Sequence, residues 1–233
     1  PVRGNREVSL LSNLLNLAVE RGMIDENPCK QIRRNTEQPR TEAPATDTIN
    51  RFAAWVIRQT PQQKIIGMMA EYSALSGGRS IEFRDLSWPQ IDESAGVIRV
   101  KRAKQRGGKR GQVIDLIEIT PLLQDLVDRL KSVRADRGVD CLYVFPTQDN
   151  NPYTASGFKT MWSKTRAAAI DAGAITRAER FTFHDLRAYY ATQFKRQTGS
   201  LPDMHANPAT TARVYDRNKE VKRRALKKKK LGK

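Results

Sequence analysis

The sequence is poor in cysteine, in histidine, in acidic residues and in long apolar runs. Only Cys29 and Cys141 are present among 233 residues. Two cysteines without metal-type spacing exclude a disulfide scaffold and a zinc-finger fold, so we expect a reducing, intracellular setting and no metal. No run approaches the roughly 18 apolar residues that a membrane helix needs. The mean hydropathy is −0.63 and no signal peptide is visible, so we expect no membrane partner.

The excess of basic over acidic residues indicates the class of partner. Forty-two Lys and Arg against twenty-five Asp and Glu leave a formal charge of +17. This charge is hard to reconcile with a small-molecule enzyme alone and favours a polyanion, with nucleic acid the leading candidate. Residues 217–233 hold ten Lys or Arg and one Glu, a net +9, so the rest of the chain carries +8. The C-terminal tail is therefore considered separately.

The N-terminal part of the chain has the pattern of one amphipathic helix. Apolar residues recur at helical spacing through EVSLLSNLLNLAVERG, and Gly22 supplies a stop signal. The polar, Pro-punctuated stretch that follows predicts a linker over residues 35–46. The first residue is Pro1 rather than Met, so we expect further residues upstream in the natural protein.

The remainder predicts a mostly α domain with a small antiparallel β-sheet, an α+β class. Helices are predicted from about Asp47 and from Pro61, and Gly77-Gly78 ends the second one. The segments VIRVKRAK and QVIDLIEIT flank GGKRG and predict a β-hairpin over 97–120, while LYVF predicts a short third strand. Apolar periodicity predicts further helices beginning at Pro121, over 154–172, over 185–197, and near Pro208 to include Tyr215.

The two histidines lie in segments that can carry chemistry. In FHDLRAYYATQ, His184 and Arg187 are three residues apart and share a face if the segment is helical. In DMHANPATTARVYDR, His205 precedes Tyr215. A lone histidine is more often structural, and HxxR is not a zinc-ligand spacing, so neither segment taken singly identifies a site.

Three segments that occur in a fixed order indicate a function more specifically than any one of them does. SALSGGRSIEFRDLSWPQID resembles the first arginine box of the tyrosine recombinases, the phage-integrase family, HDLRAYYATQ resembles their H-x-L-R box, and the His205 to Tyr215 segment resembles their final box. The resemblance implies a catalytic domain over 47–217, preceded by the C-terminal remnant of a core-binding domain over 1–34. Residues 218–233 are then a basic C-terminal tail, which contacts DNA or docks on a neighbouring protomer.

The resemblance also implies an active set and its chemistry, with no cofactor. Cleaving a phosphodiester without a metal requires fixed cationic donors on the non-bridging oxygens, which suits Arg79 and Arg187, although Arg79 can also pair with Glu82. Tyr215 is the implied nucleophile and His184 the proton acceptor. A hairpin lysine serves as general acid for the leaving 5′ oxygen. The implied active set is Arg79, Lys104, His184, Arg187, His205 and Tyr215.

The hairpin is the predicted DNA contact. Its basic run holds no acid and suits phosphate binding, and Lys101 and Lys109 remain competitors of Lys104 for the general acid. The predicted DNA-binding residues are Arg99, Lys101, Arg102, Arg106, Lys109 and Arg110.

The function implied is a site-specific DNA recombinase, or integrase, acting through a covalent 3′-phosphotyrosine. Its partners would be double-stranded DNA and three further copies in a homotetramer, in the cytoplasm of a bacterium and encoded there or by a phage. The alternative is a catalytically impaired DNA-binding module derived from a recombinase. The interval from Arg187 to His205 is shorter than is usual in the family, which supports that alternative.

Overall fold

The computed structural model describes residues 2–37, 43–103, 113–138 and 140–204. The chain divides into two compact units between residues 41 and 42. Within the described residues there are seven α-helices, two short 3-10 helices and one three-stranded sheet. The predicted class, mostly α with a small antiparallel sheet, is confirmed.

The first unit is one helix and the turn that follows it. Helix α1 spans Val2–Glu20 and ends before Gly22, which has a φ of 67°. A 3-10 helix follows at Pro28–Gln31. The buried Asn27 ties this turn to α1, because its Nδ2 donates to the Ser12 carbonyl at 2.9 Å and to Asn16 Oδ1 at 2.6 Å. The apolar stripe that predicted the helix is exposed at Leu10, Leu11, Leu14 and Leu17.

The second unit is built around a helix that is buried on most sides. Helix α2 spans Thr46–Val56 and α3 spans Pro61–Ser76. Pro61 occupies the first turn of α3, where its missing N–H costs nothing, and Thr60 caps the helix through Gln63. Three further helices pack around α3, with which they share the core: α5 (Pro121–Asp136), α6 (Ala155–Asp171) and α7 (Phe183–Thr198).

The sheet lies at one side of this core. Its order is β1 (Ile91–Asp92), β2 (Val97–Lys101) and β3 (Ile114–Glu118), with both pairs antiparallel and Arg99 opposite Leu116. On β2 the side chains alternate, so that Ile98 and Val100 are buried while the basic ones are exposed. The predicted hairpin is confirmed at its two strands, and residues 104–112 lie outside the described part of the chain.

The strand predicted at LYVF is wrong. Tyr143 forms only an isolated bridge with Ser87, and the third strand is β1 instead. Two backbone hydrogen bonds join this segment to its neighbour, from Val144 to the Leu86 carbonyl and from Trp88 to the Leu142 carbonyl. The pairing cannot extend further because Pro146 has no N–H to donate. The β-branched and aromatic composition reflects burial of Val144 and Phe145 in the core.

Candidate active site

Arg79 stands at the turn that leads out of α3. Gly77 caps that helix with a φ of 68°, and Ser73 Oγ donates to the Gly78 carbonyl at 2.9 Å. The short helix α4 (Ser80–Phe83) begins immediately afterwards. Arg79 itself is the extended N-cap residue of α4, with φ −83° and ψ 145°. The glycine pair therefore redirects the chain so that Arg79 begins a new element.

A buried carboxylate fixes the orientation of Arg79. Glu82 Oε1 accepts from Arg79 Nη1 at 2.7 Å, and its Oε2 accepts from the Arg79 backbone N–H at 2.7 Å. Glu82 Oε1 also accepts from the Ala103 backbone N–H at 3.1 Å, just beyond β2. The ion pair between Arg79 and Glu82, which the sequence suggests as a structural role for Arg79, is therefore present. In the described part of the chain it occupies one nitrogen of the guanidinium, so other N–H groups of Arg79 can still bind a phosphate oxygen.

His184 and Arg187 belong to the start of α7. Thr182 caps the helix with the buried Asp185, whose Oδ2 accepts from the Thr182 N–H at 2.8 Å and from its hydroxyl at 2.7 Å. This capping box explains why the helix begins at Phe183, two residues before the predicted start. His184 is exposed at the first turn, whereas Arg187 is buried one turn further on.

Arg187 joins two of the three sequence boxes. Its Nη1 donates to the Gly77 carbonyl, two residues before Arg79. Its Nη2 donates to the Met204 carbonyl at 2.9 Å, and Met204 directly precedes His205 in the sequence. The ring of Tyr190 lies against Gly77 on the same helix face, and burial raises the pKa of its hydroxyl although Arg187 opposes that shift. The fold therefore brings the two arginine boxes together.

Apart from Arg102, the remaining predicted site residues either lie on β2 or lie outside the described part of the chain. Arg99 and Lys101 lie on the exposed side of β2, and Arg99 Nη1 donates to Asp92 Oδ2 at 2.8 Å. The Ser94 hydroxyl, the Ala95 N–H and this arginine lower the pKa of Asp92. Six predicted residues lie outside the described part of the chain: Lys104, Arg106, Lys109, Arg110, His205 and Tyr215.

Arg102, another predicted DNA contact, is engaged inside the protein. Its guanidinium binds both carboxylate oxygens of Asp115, and these hydrogen bonds raise the pKa of Arg102. Sequence reasoning missed this pair and the link from Glu82 to Ala103. The strand register that places Val100 opposite Asp115 would have been the signal, but composition alone does not define a register.

The described residues offer no alternative centre of metal chemistry. They contain no group of three or more His, Cys, Asp or Glu side chains that could hold an ion. No helix among them is long and apolar enough to span a membrane. Both cysteines are buried free thiols.

Comparison with known proteins agrees with this architecture. The model of the phage integrase family matches residues 46–221. The structure of the Tn1549 transposon integrase in complex with circular intermediate DNA is similar in fold, with a TM-score of 0.68 and 17% identity over 91% of this chain and 73% of that one. A lambda integrase dimer bound to a COC′ core site matches with a TM-score of 0.65 and 15% identity, over 96% of this chain and 76% of that one.

A third structure and one negative result complete the comparison. XerA recombinase matches with a TM-score of 0.56 and 20% identity, over 80% of this chain and 62% of that one. No match is found among curated protein sequences. A mostly helical domain with a small three-stranded antiparallel sheet is the catalytic-domain fold of the tyrosine recombinases. The chain belongs to the phage integrase family.

Proposed function

We propose that this protein is a site-specific DNA recombinase that cleaves and rejoins strands through a covalent 3′-phosphotyrosine. Arg187 carries the proposal, because it connects the turn before Arg79 to the segment that leads to His205. An arginine of the second box thus contacts the turn that precedes the arginine of the first box, which supports a shared site for one phosphodiester. The related structures of the Tn1549 and lambda integrases are complexes with DNA.

The two arginines supply the electrostatics of the reaction. A phosphodiester under attack accumulates negative charge on its non-bridging oxygens, and preorganised guanidinium groups stabilise that charge without a metal. Arg79 is held by Glu82 and Arg187 by two backbone carbonyls, so both are ordered before DNA binds. Little free energy is then spent on ordering them during the reaction.

The nucleophile and the groups that transfer protons come from the final box, from the H-x-L-R box and from the hairpin. Tyr215 attacks the phosphorus, with His184 as its proton acceptor and His205 as a further donor to the phosphate. Lys104 protonates the departing 5′ oxygen, a role for which Lys101 and Lys109 remain competitors. The bond energy stays in the phosphotyrosine linkage, so a 5′-hydroxyl from another strand reverses the step without ATP.

The proposal extends to the partners and to the division of the chain. Exchange between two duplexes requires four protomers on double-stranded DNA, so the assembly is a homotetramer. Residues 1–34 are the end of a core-binding domain, 35–46 the linker, 47–217 the catalytic domain and 218–233 the basic tail. The exposed basic side of β2 belongs to the DNA-contacting surface.

A covalent adduct tests the chemistry. The bound sequence is first selected from a pool of random duplexes, and duplexes nicked at successive positions within that site are then incubated with the protein. We expect a protein–DNA adduct that survives denaturing electrophoresis and that Tyr215→Phe abolishes. Tight, salt-sensitive binding to the selected site without any adduct would instead identify the catalytically impaired DNA-binding module.

A further inference from the structure

Arg102 and Asp115 form a two-point ion pair at the end of the β-hairpin. Arg102 Nε lies 2.9 Å from Asp115 Oδ1 and 3.1 Å from Oδ2, and Nη2 lies 2.6 Å from Oδ1. The Arg102 backbone N–H donates to the Val113 carbonyl at 3.1 Å, which closes the hairpin at the same level. The side chains of Arg102 and Asp115 are 16% and 31% exposed, so the pair is partly shielded from solvent.

The same guanidinium reaches a different part of the chain. Arg102 Nη2 donates to the backbone carbonyl of Asp203 at 3.3 Å. The next carbonyl, that of Met204, accepts from Arg187 on α7. Two consecutive carbonyls of the segment 201–204 are therefore held by two arginines, one that directly follows β2 and one from α7.

The alternation of side chains along the hairpin explains why Arg102 points inward. It places Arg102 on the side of the buried Ile98 and Val100, where Asp115, opposite Val100, supplies a carboxylate. Two-point geometry of this kind requires the planar fork of arginine, which a lysine cannot reproduce.

We infer that Arg102 is a positioning residue that couples the hairpin to the segment 201–204, rather than a contact to DNA phosphate. The inference rests on the proposed function, in which Lys104 follows Arg102 by two residues and His205 follows Asp203 by two residues. Arg102 thus fixes the chain just before Lys104 and just before His205. Its loss lowers the rate of strand cleavage and leaves DNA affinity nearly unchanged.

Three variants separate positioning from phosphate contact: Arg102→Ala, Arg102→Lys and Asp115→Asn. Cleavage is measured in single turnover at saturating DNA, and affinity is measured separately across a salt series. Small misplacements of reacting groups cost about 100-fold in rate, so we expect losses of about 10- to 100-fold for all three variants. Asp115→Asn separates the two roles most clearly. It makes the surface more positive, so it should tighten DNA binding while it slows cleavage.

A modified substrate links the defect to the leaving group. Sulfur in place of the bridging 5′ oxygen leaves as a thiolate, which is far less basic than an alkoxide, so its departure needs no general acid. We expect this duplex to restore much of the cleavage lost in Arg102→Lys, as in Lys104→Ala, but not that lost in Arg79→Ala. If Lys104→Ala is not restored, the proposed role of Lys104 fails, while the unmodified duplex still decides the role of Arg102.

A matched control and an activity-independent measurement complete the test. Arg129→Ala removes a comparable two-point pair with Glu71, between α5 and α3, and we expect normal cleavage. Without DNA, Arg102→Lys should speed hydrogen exchange at the Met204 amide, which bonds to the Pro202 carbonyl. The inference is overturned if exchange is unchanged, or if Arg102→Lys cleaves normally and Arg102→Ala only weakens DNA binding with a salt slope smaller by about one.

Discussion

At the scale of single residues, Glu82 organises the first arginine box. Its carboxylate accepts from the backbone and side chain of Arg79 and from Ala103, which lies beyond β2. One acidic side chain therefore sets both the direction of the guanidinium and its distance from the hairpin. The family-type pattern in the sequence includes this acid, but only the structure shows that it serves two elements.

Replacing Glu82 should destabilise the second unit strongly. The Glu82 side chain is 3% exposed, so Glu82→Ala leaves the Arg79 charge and the Ala103 N–H without their acceptor. Removal of one partner from a buried pair costs about 3–5 kcal/mol, and we expect urea unfolding to show a loss near the lower end. Asp125→Ala breaks an exposed pair with Arg129 and should cost less than about 1 kcal/mol. Equal losses would contradict the buried role of Glu82.

Arg79→Lys should separate charge from geometry in the proposed reaction. Lysine keeps the positive charge but cannot hold Glu82 and a phosphate oxygen through a planar fork. We expect DNA affinity within about threefold of wild type and a cleavage rate lower by about 100-fold, since the lost interaction matters mainly in the transition state. Electrophoretic mobility shifts and single-turnover cleavage measure the two quantities. A proportional loss of both would make Arg79 a plain phosphate anchor.

At the scale of elements, the turn between α3 and α4 depends on close contact with α7. A Cβ on Gly77 would lie 2.3 Å from the Tyr190 ring, and the φ of 68° already disfavours any L side chain. Gly199 caps α7 with a φ of 79° and has nothing within 4 Å of such a Cβ. The two glycines share a backbone conformation and differ in packing.

This difference predicts unequal costs for the same substitution. Gly199→Ala should lower the free energy of unfolding by about 1 kcal/mol, from the left-handed conformation alone. Gly77→Ala should cost about 1–3 kcal/mol more, because Tyr190 must move. Thermal or urea unfolding of the two variants measures the difference. Similar losses would mean that Tyr190 adjusts without cost and that the packing of α7 does not constrain the turn.

A second contact between elements makes the stability of the fold depend on pH. Glu179 accepts from the Thr176 N–H at 2.8 Å and pairs with Arg51 on α2. The Thr176 donors, followed by Arg51, lower the pKa of Glu179 to about 2. An unfolded glutamate has a pKa of about 4.3, so this contribution to stability is complete above that pH and is lost as the pH falls towards 2.

The variant Glu179→Gln should isolate that contribution. Wild type should be more stable than the variant at pH 6, and the difference should shrink as the pH falls from about 4.3 through about 2, below which Glu179 is neutral in both the folded and the unfolded state. Urea unfolding at pH 6, 4, 3 and 2.5 follows the convergence. A difference that stays constant with pH would show that Glu179 contributes through packing rather than through its charge.

The same elements show how far the sequence could predict the fold. Within the described residues, α1 to α3, α5 to α7 and the two strands of the hairpin were predictable because period and turn signals act locally, as with Pro61 and the Gly77-Gly78 break. The helix predicted near Pro208 lies outside the described part of the chain. LYVF misled because β-branched and aromatic residues are equally suited to a buried segment without strand partners. The hydrogen bonds from Arg187 to the Gly77 and Met204 carbonyls depend on how the helices pack, and the pairing of Arg102 with Asp115 depends on the strand register. Neither contact could be derived from a local sequence pattern.

At the scale of the whole molecule, the positively charged residues lie in different places, and we expect some to affect the cleavage rate and others the affinity for DNA. Arg79, Arg102 and Arg187 are paired or buried within the fold, so we expect them to affect the rate of cleavage more than the affinity for DNA. The exposed basic residues of β2 and the C-terminal tail are the remaining candidates for contact with the DNA backbone. Affinity and rate should therefore respond to different parts of the sequence.

Removal of the tail tests this separation. Deleting residues 218–233 removes nine Lys and Arg and one Glu and lowers the net charge from +17 to +9. Each lost phosphate contact should reduce the slope of log affinity against log salt by about 0.9, while the cleavage rate at saturating DNA stays near wild type. Replacing Lys227, Lys228, Lys229 and Lys230 by glutamine keeps the length and should reproduce part of the change in slope. If truncation leaves the slope unchanged but abolishes recombination between two duplexes, the tail acts between protomers, because a DNA contact cannot be removed without releasing fewer counterions on binding.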